Sequence, residues 1–134
     1  MLTLQVIASL GWTLEVADAK NAFCQSDPLE RPKGAIFCEP CEGIGLDSGD
    51  LIEIIAPVYG LNDAPLLWHR TLTTALTDLG FRKSLLEPCL WVKRDDSRRL
   101  EALVLIEVDD LIISAQPRTH DAMKEQFQKR FKFG

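Results

Sequence analysis

The sequence predicts an α+β fold in which an antiparallel sheet has helices packed on one face. Two observations support this class. Predicted strands outnumber predicted helices, and several strands follow one another through short polar turns, as they do in β-hairpins. The chain has 134 residues, of which 46% are hydrophobic and 26% charged, as in one small globular domain. We therefore expect residues 1–134 to form a single domain.

The first part of the chain predicts two strands separated by an irregular insertion. Residues 2–10 are typical of the end of a helix, and "WTLEVAD" at 12–18 alternates apolar and polar residues as a strand does. Residues 24–50 are rich in Pro, Gly, Cys and acidic residues, which predicts an irregular insertion with one short strand around "GAIFCE". The stretch "DLIEIIAPVYG", at 50–60, predicts a second strand.

Residues 62–80 give the clearest helix signal. Asn62 or Asp63 can cap the helix, Pro65 suits its first turn, and Gly80 suits the position just past its end. The apolar residues recur at the spacing of one helix face, which predicts that this face is buried. They are Leu72, Ala75, Leu76 and Leu79.

The last part of the chain predicts a hairpin, a further strand and a second helix. "PCLWVKR" and "RLEALVLIEV" flank the polar turn "DDSRR", which is a hairpin signal. "DLIIS", at 110–114, predicts the next strand. Residues 119–131 predict an amphipathic helix with Met123, Phe127 and Phe131 on its buried face.

Two adjacent aspartates interrupt the apolar run "LIEVDDLII" at 105–113. An ionised carboxylate in apolar surroundings is costly unless it has a partner, and a bound cation is the simplest one. Asp109 and Asp110 fall at a predicted tight turn, and Asp18 ends another predicted strand. If these strands are neighbours, three carboxylates converge at one edge of the sheet, where they could hold two Mg²⁺ ions for phosphoryl or nucleotidyl transfer. The alternative is that the pair are ordinary turn residues.

Charge and hydropathy restrict the classes of partner. The net charge is −5, so the chain has no general electrostatic footprint for nucleic acid, and such a partner must be held locally or by other parts. The apolar stretch "MLTLQVIASL" lacks a basic flank and is too short for a membrane span, which predicts neither a signal peptide nor a membrane partner. We expect an intracellular, cytoplasmic protein, with the nucleus as the alternative.

The four cysteines predict reduced thiols rather than a disulfide scaffold. They are Cys24, Cys38, Cys41 and Cys89. "CEPC", at 38–41, has the spacing of half a zinc site, but the sequence offers no second ligand pair, and His69 and His120 are isolated. We expect no zinc here and keep a zinc-binding element at Cys38 and Cys41 as the weakest alternative.

Five further segments stand out in the chain: "VADAKNAF" (16–23), "VYGLNDAPLLWH" (58–69), "LGF" (79–81), "EPCLWVK" (87–93) and "LIEVDDLIIS" (105–114). In this order and spacing they resemble the reverse transcriptase palm of copia-type retrotransposons. The resemblance implies a polymerase palm-like fold and RNA-directed DNA polymerase chemistry. It also implies that Asp18, Asp109 and Asp110 are the catalytic residues and bind two Mg²⁺ ions, or Mn²⁺ in their place.

The resemblance implies roles for several neighbouring residues as well. Phe23 would lie under the nucleotide sugar and disfavour a ribose 2′-hydroxyl, with a core phenylalanine as the alternative. Tyr59, Gly60 and Pro65 would shape the template and nucleotide pocket, although the same residues also suit the start of a helix. Lys20 lies in the first matching segment, and its alternative is an ordinary surface lysine.

Two departures from the family pattern stand near these residues. Glu107 replaces the usual aromatic residue, and period-two alternation would put it on the face of Asp109, adding negative charge and removing a ring that could pack against the primer end. Asn62 and Asp63 replace a more basic version of that segment. Both changes make the site less hospitable to a polyanion.

The match starts just before the first catalytic strand, so we expect residues 1–134 to be a palm fragment without fingers or thumb. It would take part in the full reaction only together with other segments of the Pol polyprotein. The expected partners in that context are an RNA or DNA template-primer and deoxynucleoside triphosphates. As an isolated chain we expect an inactive polymerase fragment. The alternative is a non-catalytic interaction module that retains the palm fold and binds a protein through its exposed sheet.

Overall fold

The computed structural model describes residues 2–32, 34–47 and 49–134, so residues 33 and 48 of the predicted insertion lie outside the described residues. The described chain is a mixed fold of three α-helices and seven strands. In chain order these are α1 (Leu2–Leu10), β1 (Thr13–Asp18), a short 3-10 helix (Ala22–Gln25), β2 (Ile36–Cys38), β3 (Ile52–Ile54), α2 (Ala64–Asp78), β4 (Arg82–Lys83), β5 (Leu90–Arg94), β6 (Leu100–Glu107), β7 (Asp110–Ala115) and α3 (Pro117–Arg130).

Five of the strands form one antiparallel sheet in the order β1-β7-β6-β5-β4. The local hairpins β5–β6 and β6–β7 form its centre, as the turn signals predicted. Strand β1 comes from far away in the sequence and pairs with β7 along its whole length, from Thr13 opposite Ala115 to Asp18 opposite Asp110. The antiparallel sheet of the predicted fold class is therefore confirmed.

One face of this sheet packs against α2 and α3. Because side chains alternate along a strand, every second residue of β6 and β7 points into this core. The strand side chains buried there include Ala102, Val104, Ile106, Leu111 and Ile113. Helix α2 adds Leu72, Ala75 and Leu76, with Leu79 partly buried, and α3 adds Met123 and Phe127. The buried stripes predicted for both helices are confirmed.

Helix α1 differs from the other two helices. Its buried Ile7 is not part of the core that α2 and α3 share, and Thr3 and Leu4 line a cavity with Leu105 and Ile112. These two strand residues belong to the opposite face of the sheet. The prediction that helices cover one face is therefore wrong for α1, because the second face is itself partly apolar and offers the uncharged helix somewhere to bury surface.

The strand predicted over 50–60 is shorter than expected and lies outside the main sheet. Only Ile52–Ile54 are extended, and they pair with β2 in a separate two-stranded ribbon. Pro57 has no N–H for a ladder, and Gly60 has a φ of 98°, so the chain leaves the strand conformation there. The two-residue strand β4 was not predicted, because Arg82 and Lys83 show no apolar alternation.

The start of α2 departs from the prediction in one detail. Asp63 occupies the capping position, but its side chain caps nothing within the helix. Its carboxylate instead accepts hydrogen bonds from Arg31 at 2.9 and 2.8 Å, which ties the insertion to α2. Pro65 lies in the first turn and Gly80 has a φ of 87° just past the end, as predicted.

Candidate catalytic carboxylate site

The β6–β7 hairpin brings the two adjacent aspartates to the end of the sheet. Strand β6 ends at Glu107, Val108 and Asp109 form the turn, and Asp110 begins β7 directly opposite Glu107. The predicted tight turn is therefore present. Val108 has a φ of 56°, which a β-branched residue rarely adopts, so the turn holds backbone strain.

Strand β1 places Asp18 beside the same hairpin. Asp18 lies directly opposite Asp110 in the ladder, and the Ala19 N–H donates to the Asp109 carbonyl at 2.9 Å. Residues opposite each other in an antiparallel pair have Cβ atoms about 4.5–5.5 Å apart and share a face of the sheet. Asp18, Asp110 and Glu107 therefore project from one face at one end of the sheet.

The exposure of these carboxylates differs from the prediction. Asp18 and Asp110 are exposed and Asp109 is half-buried, so the expectation that the pair is carried into buried surroundings is wrong. The central residues of β6 and β7 are buried, but the aspartates lie at the end of the hairpin, where it is exposed to solvent. None of the three forms a salt bridge with another described residue.

The donor chemistry of the site suits a divalent cation. Carboxylate oxygens are the hard ligands that Mg²⁺ prefers, and solvent exposure leaves room for its water ligands. Across residues 2–32, 34–47 and 49–134, however, no three Asp, Glu, His or Cys side chains stand close enough together to hold a metal ion. The backbone register thus brings the carboxylates to one place, while their side chains would have to turn towards one another to share a cation.

Glu107 lies on a different face from the one predicted. Period-two alternation was expected to group it with Asp109, but the strand ends at Glu107 and the turn breaks the alternation. The register instead sets Glu107 opposite Asp110 and on the same face. Asp110 therefore has one carboxylate opposite it on each neighbouring strand, Asp18 on β1 and Glu107 on β6.

Helix α2 contacts the hairpin turn through a residue that the sequence did not single out. The indole N–H of Trp68 donates to the Val108 carbonyl at 2.7 Å. Trp68 is buried and its ring meets Phe131 edge-on, with 5.3 Å between the ring centroids. A buried indole N–H usually has an acceptor, but the place of Trp68 on the buried stripe of α2 could not reveal which carbonyl supplies it.

Hydrogen bonds from the last residues of the chain also hold the end of β1 that carries Asp18. The Gly134 N–H donates to the Asp18 carbonyl at 2.8 Å. The Gln25 amide donates to the carbonyls of Lys20 at 2.6 Å and Lys132 at 2.9 Å, and its oxygen accepts from the Lys132 N–H at 2.6 Å. Gln25 was not predicted as a site residue, and a glutamine in a short 3-10 helix gives no sequence signal of this bridge.

The predicted pocket residues fall into two groups. Phe23 is buried, and its ring centroid lies 4.5 Å from that of Tyr59, whose side chain is 56% exposed. Gly60 follows in the left-handed region. Pro65 helps to line a cavity of about 570 Å³ beside the hairpin, together with Trp68, Glu107 and Val108. Lys20 is exposed, and its side chain forms no salt bridge with another described residue.

The cysteines and the helices add no further site. Cys38 and Cys41 are free and exposed, as are Cys24 and Cys89. In the described part of the chain they have no third ligand that would complete a metal site. No helix in that part is both long and apolar enough to cross a membrane.

Comparison with known proteins decides the family. The model of the reverse transcriptase (RNA-dependent DNA polymerase) family matches residues 1–134. The chain belongs to the reverse transcriptase family. It is 26% identical over 132 residues to the retrovirus-related Pol polyprotein from transposon RE2 of Arabidopsis thaliana, covering 94% of this chain and 9% of that protein.

A second relative of this reverse transcriptase segment is the retrovirus-related Pol polyprotein from transposon TNT 1-94 of Nicotiana tabacum. The two are 28% identical over 112 residues, which covers 82% of this chain and 8% of the polyprotein. The chain thus spans less than a tenth of either plant polyprotein. No solved structure matches it. The resemblance to the reverse transcriptase of copia-type retrotransposon Pol polyproteins is confirmed.

Proposed function

We propose that this segment carries the catalytic carboxylates of an RNA-directed DNA polymerase. In that reaction a primer 3′-hydroxyl attacks the α-phosphate of a deoxynucleoside triphosphate, and pyrophosphate leaves. One observation carries the proposal: in a chain of the reverse transcriptase family, Asp18 lies opposite Asp110 while Asp109 occupies the adjoining turn.

Asp18, Asp109 and Asp110 are the residues that would hold two Mg²⁺ ions, or Mn²⁺ in their place. When bound, such ions activate the attacking oxygen and stabilise the leaving one. The exposure of the carboxylates and their lack of salt bridges to other described residues support this role. Like charges directly opposite each other on neighbouring strands repel, so a bound divalent cation would also reduce the repulsion between these carboxylates.

The residues around Asp18 would select the substrate. Phe23 follows Asp18 on the short 3-10 helix, and its packing against Tyr59 holds its ring in a fixed position. A fixed ring is what a steric filter against the ribose 2′-hydroxyl requires. The exposed Tyr59, together with Gly60 and Pro65, would shape the pocket for template and nucleotide.

Residues 1–134 as an isolated polypeptide should have little or no polymerase activity. The reaction needs a template, a primer and a triphosphate held in register, and the net charge of −5 disfavours all three polyanions. Glu107 adds charge beside Asp110, and Arg31 is engaged by Asp63. In its full context the segment would work with a template-primer, deoxynucleoside triphosphates and other Pol polyprotein segments, inside the cell and in the cytoplasm.

Paramagnetic broadening by Mn²⁺ tests the metal site on the chain itself. We expect added Mn²⁺ to broaden the backbone amide signals of Asp18, Asp109 and Asp110 first, and Asp110→Asn to abolish this local broadening. Asp96→Asn is the matched control, because Asp96 is an exposed turn carboxylate at the other end of the hairpin strands. Broadening that is centred elsewhere, or that survives Asp110→Asn, would refute the proposal.

Primer extension on poly(rA)/oligo(dT) tests the proposed inactivity. We expect no extension by residues 1–134 with Mg²⁺ or with Mn²⁺. Extension that disappears in the Asp109→Asn, Asp110→Asn double variant would mean that the segment alone retains polymerase chemistry, and the inactivity proposal would then be wrong.

A non-catalytic interaction module is the second candidate function. It is favoured by the apolar side chains on the face that carries Asp18, where Val16 is 63% exposed and Leu14 is also exposed. Thermal stability with and without Mg²⁺ separates the two candidates. A catalytic carboxylate site gains stability from Mg²⁺, whereas an interaction surface made of apolar side chains does not.

A further inference from the structure

The chain buries two tryptophans that differ in what their indole N–H groups contact. Trp68 is 1% exposed and donates to the Val108 carbonyl at 2.7 Å. Trp91 is 7% exposed, and its indole N–H has no hydrogen-bond partner in the described part of the chain. Both rings belong to the same core between the sheet and the helices. The Trp68 hydrogen bond is therefore a specific feature of that residue and not a general property of a buried tryptophan here.

The acceptor of this bond sits at the apex of the hairpin. Val108 has a φ of 56°, a conformation that its branched side chain disfavours and that the surrounding structure must maintain. The next carbonyl, that of Asp109, accepts from the Ala19 N–H at 2.9 Å. The two turn carbonyls are thus held by donors from different elements, Val108 by α2 and Asp109 by the chain that follows β1.

The donor itself is rigidly placed. Trp68 lies on α2 one turn before the buried Leu72, and its ring packs edge-on against Phe131. Core packing already fixes the conformation of this donor, so the hydrogen bond to the strained carbonyl costs little further side-chain entropy. Supporting residues of functional sites are held in the same way. The core is in this way connected directly to the turn that carries Asp109.

We propose that Trp68 is a positioning residue that holds the Val108 turn in the conformation that keeps Asp109 and Asp110 beside Asp18. This inference rests on the proposed function, in which these carboxylates bind divalent cations. Without the hydrogen bond Val108 can relax towards an ordinary φ, and rotation about that backbone bond changes the direction of the residues that follow it. The carboxylates would then meet less often in an arrangement that shares a cation.

Trp68→Phe and Trp91→Phe provide a matched pair of variants. Each replaces an indole with a smaller buried ring, but only the first removes a hydrogen bond. We expect Trp68→Phe to shift or broaden the amide signals of residues 105–112 and of Ala19, and to weaken Mn²⁺ binding roughly tenfold, as loss of a residue that orients a metal ligand commonly does. Trp91→Phe should leave both the hairpin signals and the Mn²⁺ affinity unchanged.

A second variant covers the case in which the smaller ring at position 68 unfolds the protein. Benzothienylalanine at position 68 keeps the shape of the bicyclic ring and replaces its N–H with sulfur. Loss of Mn²⁺ affinity and altered hairpin signals in this variant support the inference. If the hairpin signals and the Mn²⁺ affinity of this variant equal those of the unsubstituted chain, the inference is overturned.

Asp110→Asn, measured in the same titration, separates this inference from the proposed function. If Asp110→Asn leaves Mn²⁺ binding intact, the carboxylate site is wrong, whatever Trp68 does. If Asp110→Asn abolishes binding while both position-68 variants retain it, the carboxylate site stands and the positioning role of Trp68 is refuted.

Discussion

The two faces of the five-stranded sheet have different compositions. One face packs against α2 and α3 and carries the apolar core of the sheet; its buried side chains include Trp91, Val104, Ile106, Leu111 and Ile113. The other face ends in Asp18, Glu107 and Asp110 and exposes Leu14 and Val16. Neighbouring residues of the same strands thus face opposite environments, as the period of two requires.

This difference indicates that stability and the proposed chemistry are carried by opposite faces. Substitutions on the buried face should change the free energy of unfolding, and substitutions among the carboxylates should change cation binding with little loss of stability. The turn at Val108 connects the two faces, because Trp68 donates a hydrogen bond to the Val108 carbonyl from the core.

The largest effect should come from the buried face of α2. Leu76 is completely buried, and Leu76→Ala should lower the free energy of unfolding by about 2–5 kcal/mol, through lost burial and the cavity left behind. Urea denaturation measures this change. Leu66→Ala is the control on the same helix, because Leu66 is half-exposed, and it should cost far less. Equal costs for the two variants would contradict the assignment of the buried face.

A smaller effect of opposite sign is expected at Asp110. It faces a carboxylate on each side, so in the absence of divalent cations Asp110→Asn should raise the free energy of unfolding by about 0.2–1 kcal/mol. The measurement is urea denaturation in the presence of a chelator. A loss of several kcal/mol would mean that Asp110 has a structural role, and the separation of the two faces would then fail.

Val16 tests the exposed apolar part of the same face. Because its side chain is largely exposed, Val16→Thr should change the free energy of unfolding by no more than about 0.5 kcal/mol. Sedimentation at increasing protein concentration should show less self-association if the apolar surface drives it. A large destabilisation would show that this position is covered in solution.

The smallest effect concerns the outer side of α3, away from both faces. Lys129, one turn along the helix, lowers the pKa of Glu125 by a hydrogen bond and by its charge. A lowered pKa stabilises the folded chain above the ordinary glutamate value of 4.5, and this contribution disappears as the pH falls through the lowered pKa. Glu125→Gln should therefore lower the melting temperature slightly at pH 6, and the difference should shrink as the pH falls below 4.5. A larger difference at pH 3 would contradict this sign.

The sequence predicted those features that depend on local pattern. The stripe of α2, the hairpin turn near "DD" and the antiparallel sheet follow from helix spacing, turn chemistry and alternation, and they are confirmed. Features that depend on tertiary contacts were missed. The carboxylate of Asp63 binds Arg31 rather than capping its helix, and the face of Glu107 depends on where the turn begins.

The family resemblance suggested the carboxylates of the candidate site, whose roles stay predictions, but not the residues that support them. The family pattern named Asp18, Asp109 and Asp110, and the register brings their backbones together. Two hydrogen bonds that help to hold this end of the sheet run from Trp68 to Val108 and from Gln25 to Lys132, and the partners in each pair are distant in sequence. Such pairs are set by how the elements pack, so a single sequence contains no signal for them.

The most direct measurement is primer extension by a chimera in which residues 1–134 replace the corresponding segment of an active copia-type reverse transcriptase. The chimera should carry Glu107→Tyr, so that the family's aromatic residue is restored. We predict extension by this chimera and by its Asp96→Asn variant, and none after Asp110→Asn. Extension that persists after Asp110→Asn would contradict the assignment of these carboxylates to catalysis.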